Sequence, residues 1–522
     1  MMRPAQRNAF KILALLGCVV QFQNACVAQV KPNPPPVVCA NGKCTNSPAL
    51  PADLQSPRAD DPCLPIVMPP AAALFSADRK VFAHYFDIFP LSMDDKPPNS
   101  DYYSQIWLVA NRNNMWYANG GFLRTRPIGV QPAPSQSYKI RNLEIEVRIA
   151  LVRGITGFTY DIGKVSEIDS GGNLDNMLKA VAAVDTRFKI VLMVDHLSPS
   201  DVMTVVKATY NNPVVYRYGG KVVVAPYMAN TVSPADWAAM KATLANQGYP
   251  IYFMPTFLSL PPDIISDYGR VADAFGLFGT PQIQQGTSEA ANIAHVHAAG
   301  KYYMAGLSPQ GYRPKVYKYW ETQGSLGYRN GWMAAVNGAP EWIQLTTWND
   351  FSETTQVSPY TDLNGASGSG FYNLSGYYAS WYVTGKQPTI THDVLYYFYR
   401  KQALGAASSN AGQKTVAALA HVAGVDVIEL VGFLTAPGTL SITAGGRTYT
   451  SDVGAGLQSL TVPLSAGTPS FSLARNGTTV VSTVGDASIA GESGLPTGFP
   501  DLTYWSGGAS SAGSCSLNGA LK

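Results

Sequence analysis

The run GITGFTYDIGKVSEIDSGGNLDNMLKAVAAVDTRFKIVLMVDHL, residues 154–197, decides the fold class. Its two ends, GITGFTYDI (154–162) and KIVLMVDHL (189–197), are short apolar runs rich in β-branched and aromatic residues. Between them LDNMLKAVAAVDTRF (174–188) is helix-like. Near-continuous apolar strands separated by a helix belong to a parallel sheet covered on both faces. Working outward, the same strand texture recurs in KVFAHYF (80–86), KVVVAPYM (221–228), YPIYFMPTF (249–257), VADAFGLFG (271–279), KYYMAGLSP (301–309) and EWIQLTTWND (341–350). Helix-like stretches such as PADWAAMKATLANQ (234–247) separate them. Eight such units predict an α/β fold, a (β/α)8 TIM barrel over residues 80–405, with its site at the C-terminal strand ends. A doubly wound sheet would need a glycine-rich phosphate turn after the first strand, and KVFAHYFDIFP (80–90) has none.

Past the barrel the texture changes. VDVIELVGFL (425–434), GTLSITAGG (438–446), RTYTSDV (447–453), LQSLTVPL (457–464), PSFSLARNG (469–477) and TTVVSTV (478–484) are short alternating runs broken by Gly, Pro and Asn. They predict a small C-terminal β-sandwich over residues 406–490. Residues 491–522 close the chain as a Gly/Ser-rich tail, and the proline-rich residues 29–79 form an extended lead-in.

The first 28 residues carry a basic stretch (MMRPAQRNAFK), an apolar one (ILALLGCVV) and small residues at Cys26-Val27-Ala28. That pattern predicts a signal peptide cut after Ala28, hence a secreted or periplasmic protein. The competing reading is a lipoprotein signal at Leu15-Leu16-Gly17-Cys18. No later run is long enough to span a bilayer. Export would leave Cys39, Cys44, Cys63 and Cys515 in an oxidising compartment, which suggests two disulfides with three possible connectivities. CANGKC (39–44) looks like a loop closed on itself, and Cys63 with Cys515 would then tie the start of the domain to the tail.

At 522 residues, with 46% hydrophobic and 14% charged residues, the chain is globular and lightly charged. The net charge is +3 and no basic run concentrates it, which excludes a phosphate-neutralising nucleic-acid surface. Twenty-nine Tyr and 9 Trp would suit either sugar binding, through the apolar face of a pyranose, or an aromatic core. A monomer is expected.

Polar residues gather where the predicted strands end: His84 and Asp87, Asp161, Asp195 and His196, then Trp348-Asn349-Asp350-Phe351-Ser352-Glu353. A lone Asp there reads as a helix cap. Several on one rim face one cavity. If a helical turn follows Asp350, residues i and i+3 fall on one side with Cβ atoms ~5–6 Å apart. Two carboxyls so placed can flank a glycosidic bond, one protonating the leaving oxygen and the other activating water. The alternative is a capping pair without chemistry. No GxSxG, P-loop or HExxH is present, and no cofactor is expected. A metal is not expected either: His295 and His297 diverge on a helix, and TDLNGASGSG (361–370) lacks the closing Glu of a calcium loop.

These residues resemble glycoside hydrolase family 71, the α-1,3-glucanases or mutanases. VFAHYF (81–86) is similar to the family's VFAHF, GITGFTYDIG (154–163) to GIDGFALNIG, and VLMVDH (191–196) to the strand that ends in Asp. YMAGLSPQGY (303–312) resembles YM-x-x-VSPWFY, and TTWNDFSETTQVSPY (346–360) resembles TWNDYGESHYIGPY. GYYASWYVTGKQPTITHDVLYYFYR (376–400) is similar to the stretch that follows. The resemblance implies endo-acting, inverting cleavage of α-1,3-glucan, with Asp350 and Glu353 as the catalytic carboxylates. Glu353 would be the general acid and Asp350 the general base. His84, Asp161, Asp195, Trp348 and Asn349 would line the subsite beside the scissile bond. The chain departs from the family in three places: Gln310 replaces a Trp, Ser352-Glu353-Thr354-Thr355-Gln356 stands for Gly-Glu-Ser-His-Tyr, and Asp161 stands where Asn is common. Thr355-Gln356 instead resemble the WNEWHEGTQIEP motif of glycoside hydrolase family 99, the endo-α-mannosidases. A changed pocket wall would alter sugar choice before reaction type. Three functions follow: an α-1,3-glucanase, an α-glycanase on another polysaccharide such as α-mannan, and a carbohydrate-binding protein on a dead barrel. Retention of both carboxyls counts against the last.

Overall fold

The computed structural model describes residues 61–109, 115–133, 137–362, 365–406, 416–419, 422–491 and 499–515. The expected signal peptide, Cys39 and Cys44 lie outside these residues. The fold is mixed α/β. Its main sheet is built from β1 (Lys80–Tyr85), β2 (Gly157–Ile162), β3 (Lys189–Val194), β4 (Lys221–Val224), β5 (Ile251–Phe253), β6 (Thr256–Phe257), β7 (Ala274–Leu277), β8 (Tyr302–Leu307) and β9 (Trp342–Leu345). These strands pair in parallel in chain order except at β5 and β6, which are not paired to each other, and β1 lies between β2 and the last strand, β9, so the sheet curls. The run read as one strand, YPIYFMPTF, is two: β5 pairs with β4 and β6 with β7, on either side of Met254-Pro255. Pro255 has no N–H to give a ladder.

Between the strands run α1 (Tyr138–Leu151), α2 (Asn173–Val184), α3 (Pro199–Thr209), α4 (Pro234–Asn246), α5 (Pro262–Tyr268), α6 (Gln285–Ala298) and α7 (Leu326–Gly338). Helices α3 and α4 begin the same way. Ser198 and Ser233 accept the amide hydrogens of Asp201 and Asp236 through their hydroxyl oxygens, and proline fills the first helical position. Alternation along the strands divides the apolar residues in two. Phe82, Val191, Met193, Val223, Met254, Met304 and Trp342 fill the inside of the curl. Val81, Phe158, Tyr160, Ile190, Leu192 and Ile343 face the helices. Both faces are thus buried, which is why the strands read as unbroken apolar runs.

After α8 (Gly370–Thr384) the chain enters β10 (Val394–Arg400), followed by β11 (Val427–Leu434), β12 (Gly438–Ala444), β13 (Arg447–Val453), β14 (Gly456–Pro463), β15 (Ser470–Arg475), β16 (Thr478–Val484) and β17 (Tyr504–Ser510). They form two antiparallel four-stranded sheets, ordered β14-β11-β10-β17 and β13-β12-β15-β16. Leu395, Tyr397, Ile428 and Leu430 of the first share one apolar cluster with Leu440, Ile442, Phe471 and Leu473 of the second. The other face of β10 carries Val394, Tyr396 and Phe398 into the core that holds α8. Every residue of β10 is therefore buried. Polar contacts add to the junction: Arg400 pairs with Glu321 at 3.2 Å and Arg329 with Glu429 at 2.6 Å, all four largely out of solvent. A disulfide joins Cys63 to Cys515, as expected. Among the described residues no helix is long and apolar enough to cross a membrane.

Candidate active site

Strand alternation aims every second residue of a curled parallel sheet inward, and at the C-terminal ends of β1, β2 and β3 those inward positions are polar. His84 stands near the end of β1, Asp161 near the end of β2, and Asp195 one residue past β3. Asp195 bridges to Tyr227, three residues past β4. His84 is 1% exposed, its ring set edge-on to Phe86 and Phe278 at 5.4 and 5.0 Å. Burial pushes its pKa down to about 3, so the imidazole is neutral at ordinary pH, and its Nδ1 has no hydrogen-bond partner among the described residues. Phe278 also meets Tyr227, at 4.9 Å.

Asp350 and Glu353 lie further from their strand than expected. β9 stops at Leu345, five residues before Asp350, and a turn covers 351–354. That turn is built on Asp350. Its Oδ1 accepts the amide hydrogen of Ser352 at 2.9 Å, the Ser352 hydroxyl at 2.8 Å and the amide hydrogen of Glu353 at 3.2 Å. Oδ2 accepts nothing from the described residues. The cap and the spacing read from sequence are thus one feature. Glu353 is held by Arg313, whose Nη2 donates to Oε2. Burial raises Glu353 to about 7, with Arg313 opposing, Asp350 adding to the rise and Lys315 opposing it weakly.

Asp161 belongs to the same field. Burial raises its pKa well above the carboxylate range, and Asp195, Asp87, Glu167 and Asp350 push it further the same way. Glu167 is itself pushed up to about 8, by burial and then by Asp87. Burial also raises Asp195, against the neighbouring His196, which contacts its Oδ1. Like charges and burial together thus favour the protonated forms of Asp161 and Glu167 on this rim. Carboxyls poised to keep or give a proton are what acid/base chemistry needs.

Trp348 and Asn349 do not join this group. The Trp348 ring packs outward against Phe158 and Tyr372, and its Nε1 donates to Glu146 at 3.2 Å. Asn349 is fully buried. Its Oδ1 accepts from the Phe86 amide at 2.7 Å, and its Nδ2 donates to the carbonyls of Phe86 and Phe89 at 2.8 and 3.1 Å. Of the departures from the family pattern, Gln310, Thr355 and Gln356 are also buried. Gln310 makes two bonds to the Tyr504 backbone, Thr355 Oγ1 lies 3.1 Å from Thr347 Oγ1, and Gln356 donates to Thr125 at 3.1 Å. They brace the turn and the C-terminal sheet rather than forming a pocket wall. Tyr227, Glu167 and Arg313 escaped the sequence reading. Tyr227 could have been found as the next strand-end residue after Asp195, whereas Arg313 follows the SPQGY segment with no spacing to mark it.

The model of glycosyl hydrolase family 71 matches residues 133–517. The chain belongs to glycosyl hydrolase family 71. The match takes in β2 through β17 and leaves β1 before it. A glucan endo-1,3-alpha-glucosidase of Schizosaccharomyces pombe is 26% identical over 378 residues, covering 67% of this chain and 87% of that protein. A mutanase of Penicillium rubens is 26% identical over 379 residues, covering 68% and 82%. Among solved structures, the family 99 endo-alpha-mannosidase of Bacteroides thetaiotaomicron aligns with a TM-score of 0.46 at 13% identity, over 58% of this chain and 98% of that one. As a family 71 member the protein is a glycoside hydrolase, and its described residues contain no group of three or more metal-ligating side chains.

Proposed function

We propose that this protein is a secreted, endo-acting hydrolase of α-1,3-glucan, with Glu353 as general acid and Asp350 as general base. The observation that carries the reading is the shared turn: one carboxyl is fixed by three donors at one oxygen, and its neighbour keeps its proton to about pH 7. In the reaction Glu353 gives its proton to the glycosidic oxygen as the bond from that oxygen to the anomeric carbon breaks. Water attacks the anomeric carbon from the opposite face, and Asp350 takes the water's proton through Oδ2. One attack on the opposite face inverts the anomeric configuration. Neutral His84 and the carboxyls of Asp161 and Asp195, whose pKa values burial raises, offer hydrogen bonds to sugar hydroxyls beside the scissile bond. The site would sit at the mouth of a closed (β/α)8 barrel, followed by a β-sandwich that β10 and β17 complete.

The glucan assignment draws on the names of the two relatives, which share 26% identity with this chain. Product analysis on α-1,3-, α-1,4- and α-1,6-glucans and α-mannan tests it. Oligosaccharides released from α-1,3-glucan alone support the assignment. Release from mannan alone overturns it while leaving the acid/base pair standing.

A further inference from the structure

The hairpin of Gly311–Arg313 and Lys318–Trp320 has no part in the curled sheet, yet it carries the cation that touches Glu353. The contact is built from several directions. The Arg313 guanidinium lies over the Trp320 ring at 4.5 Å. Trp320 sits opposite Gly311 in the hairpin, and a Cβ there would come within 2.5 Å of its ring, so the glycine lets the indole lie across the strand. The turn and the hairpin are tied by their main chains too: the Tyr312 amide donates to the Glu353 carbonyl at 2.8 Å and to Thr354 Oγ1 at 2.7 Å. Arg313 Nε is buried without a hydrogen-bond partner among the described residues, an unfavourable state that calls for a reason. The second oxygen of Glu353, Oε1, accepts nothing from the described residues, and the side chain is 29% exposed.

We propose that Arg313 is a positioning residue for the reaction: braced on Trp320, it holds Glu353 by Oε2, turns Oε1 towards the glycosidic oxygen, and sets the pH at which the acid loses its proton. This rests on the reading of Glu353 as the acid. The groups that face Glu353 are Arg313 and Lys315 from the hairpin, Asp350 from its own turn and Tyr227 from the end of β4. Asp350 works against ionisation, Lys315 favours it weakly, and Tyr227 stays neutral because burial raises its pKa. Arg313 is thus the main counter-charge. Without it the carboxyl keeps its proton to higher pH and is a weaker, less well aimed acid.

The test is kcat/KM against pH on α-1,3-glucan for the unaltered enzyme, Arg313→Met, Arg313→Lys and Glu353→Gln, with thermal melts to verify folding. The alkaline limb of Arg313→Met should move to higher pH while its plateau falls by about tenfold or more. Arg313→Lys keeps a charge but cannot both stack on Trp320 and reach Oε2, so its limb should move the same way by less. If Arg313→Met does not fold, the lysine variant alone decides. A lowered plateau with an unmoved limb would mean that Arg313 only supports the fold, and the proposal is lost. Full activity in Glu353→Gln would instead remove the acid assignment, an outcome visible apart from the limb.

Discussion

Asp350 accepts the amide hydrogen of Glu353 on Oδ1 at 3.2 Å, so the two carboxyl residues are the ends of one capped turn. The Ser352 amide and hydroxyl share that oxygen, and the Asp350 amide donates to Thr347 Oγ1 at 2.7 Å. Four bonds fix where Asp350 points, and the tie to Arg313 fixes Glu353. Positions held this firmly favour a fixed distance between acid and base, which an in-line displacement requires.

Replacing Glu353 by Gln keeps its shape and removes its proton. Turnover should fall by at least ~10²–10⁴ while substrate still binds. Asp350→Asn should fall as far. An α-glycosyl fluoride needs little protonation, so it should partly rescue Glu353→Gln but not Asp350→Asn. Rescue in the Asp350 variant alone would exchange the roles, and near-normal rates in both would make the pair structural.

Glu353 must be protonated to act as an acid, and burial raises its pKa to about 7. Activity should therefore persist through the acid range and decline as pH rises through about 7. A kcat/KM profile from about pH 4 to about pH 9 measures this. A profile still flat at the alkaline end would exclude Glu353 from the role.

The sheet could be read in advance because burial on both faces leaves unbroken apolar runs, and the strand-end positions of His84, Asp161 and Asp195 followed from the period of two. Asp350 and Glu353 were legible from spacing and motif, although the turn begins later than periodicity implied. Trp348 and Asn349 share that motif but serve the fold around it, one packed against Phe158 and the other bound to Phe86 and Phe89. A motif does not say which of its side chains point at substrate. Arg313 acts through a contact 40 residues distant in sequence, and no local pattern encodes such a pair.

Asn349→Ala tests this division. It would orphan the Phe86 amide and the Phe89 carbonyl in a largely buried place, at about 1–3 kcal/mol each. Melting temperature and activity should fall together. A raised KM at an unchanged melting temperature would instead mark Asn349 as a substrate contact.

Cys63 and Cys515 close a loop across a sequence separation of 452 residues. Cys515→Ser should destabilise the protein by ~2–5 kcal/mol, chiefly by freeing the unfolded chain. Denaturant titration with and without the bond measures the difference. Equal midpoints would mean that the N- and C-terminal segments stay docked without it.

The last prediction concerns Glu146 on α1, buried behind the site. Its Oε2 accepts from the Tyr85 hydroxyl at 2.7 Å and its Oε1 from Trp348 Nε1 at 3.2 Å. Burial raises its pKa to about 8, against those two hydrogen bonds, from an ordinary value of 4.5. Between these values the folded protein keeps a proton that the unfolded chain has lost. Folding then binds protons, so stability must fall as pH rises. The contribution is complete below about 4.5 and is lost as pH climbs through about 8. Glu289 is raised to about 8 by burial in the same way, with the Tyr303 hydroxyl at 2.8 Å, and adds to the slope. Glu146→Gln is neutral at every pH, and its amide can accept from Trp348 while donating to Tyr85. It should melt close to the unaltered protein near pH 5 and above it near pH 8, with Glu146→Gln/Glu289→Gln flatter still. Parallel melting curves across that range would mean that Glu146 ionises inside the fold. The turn two residues beyond Trp348 would then rest on a buried charge rather than on a neutral acid.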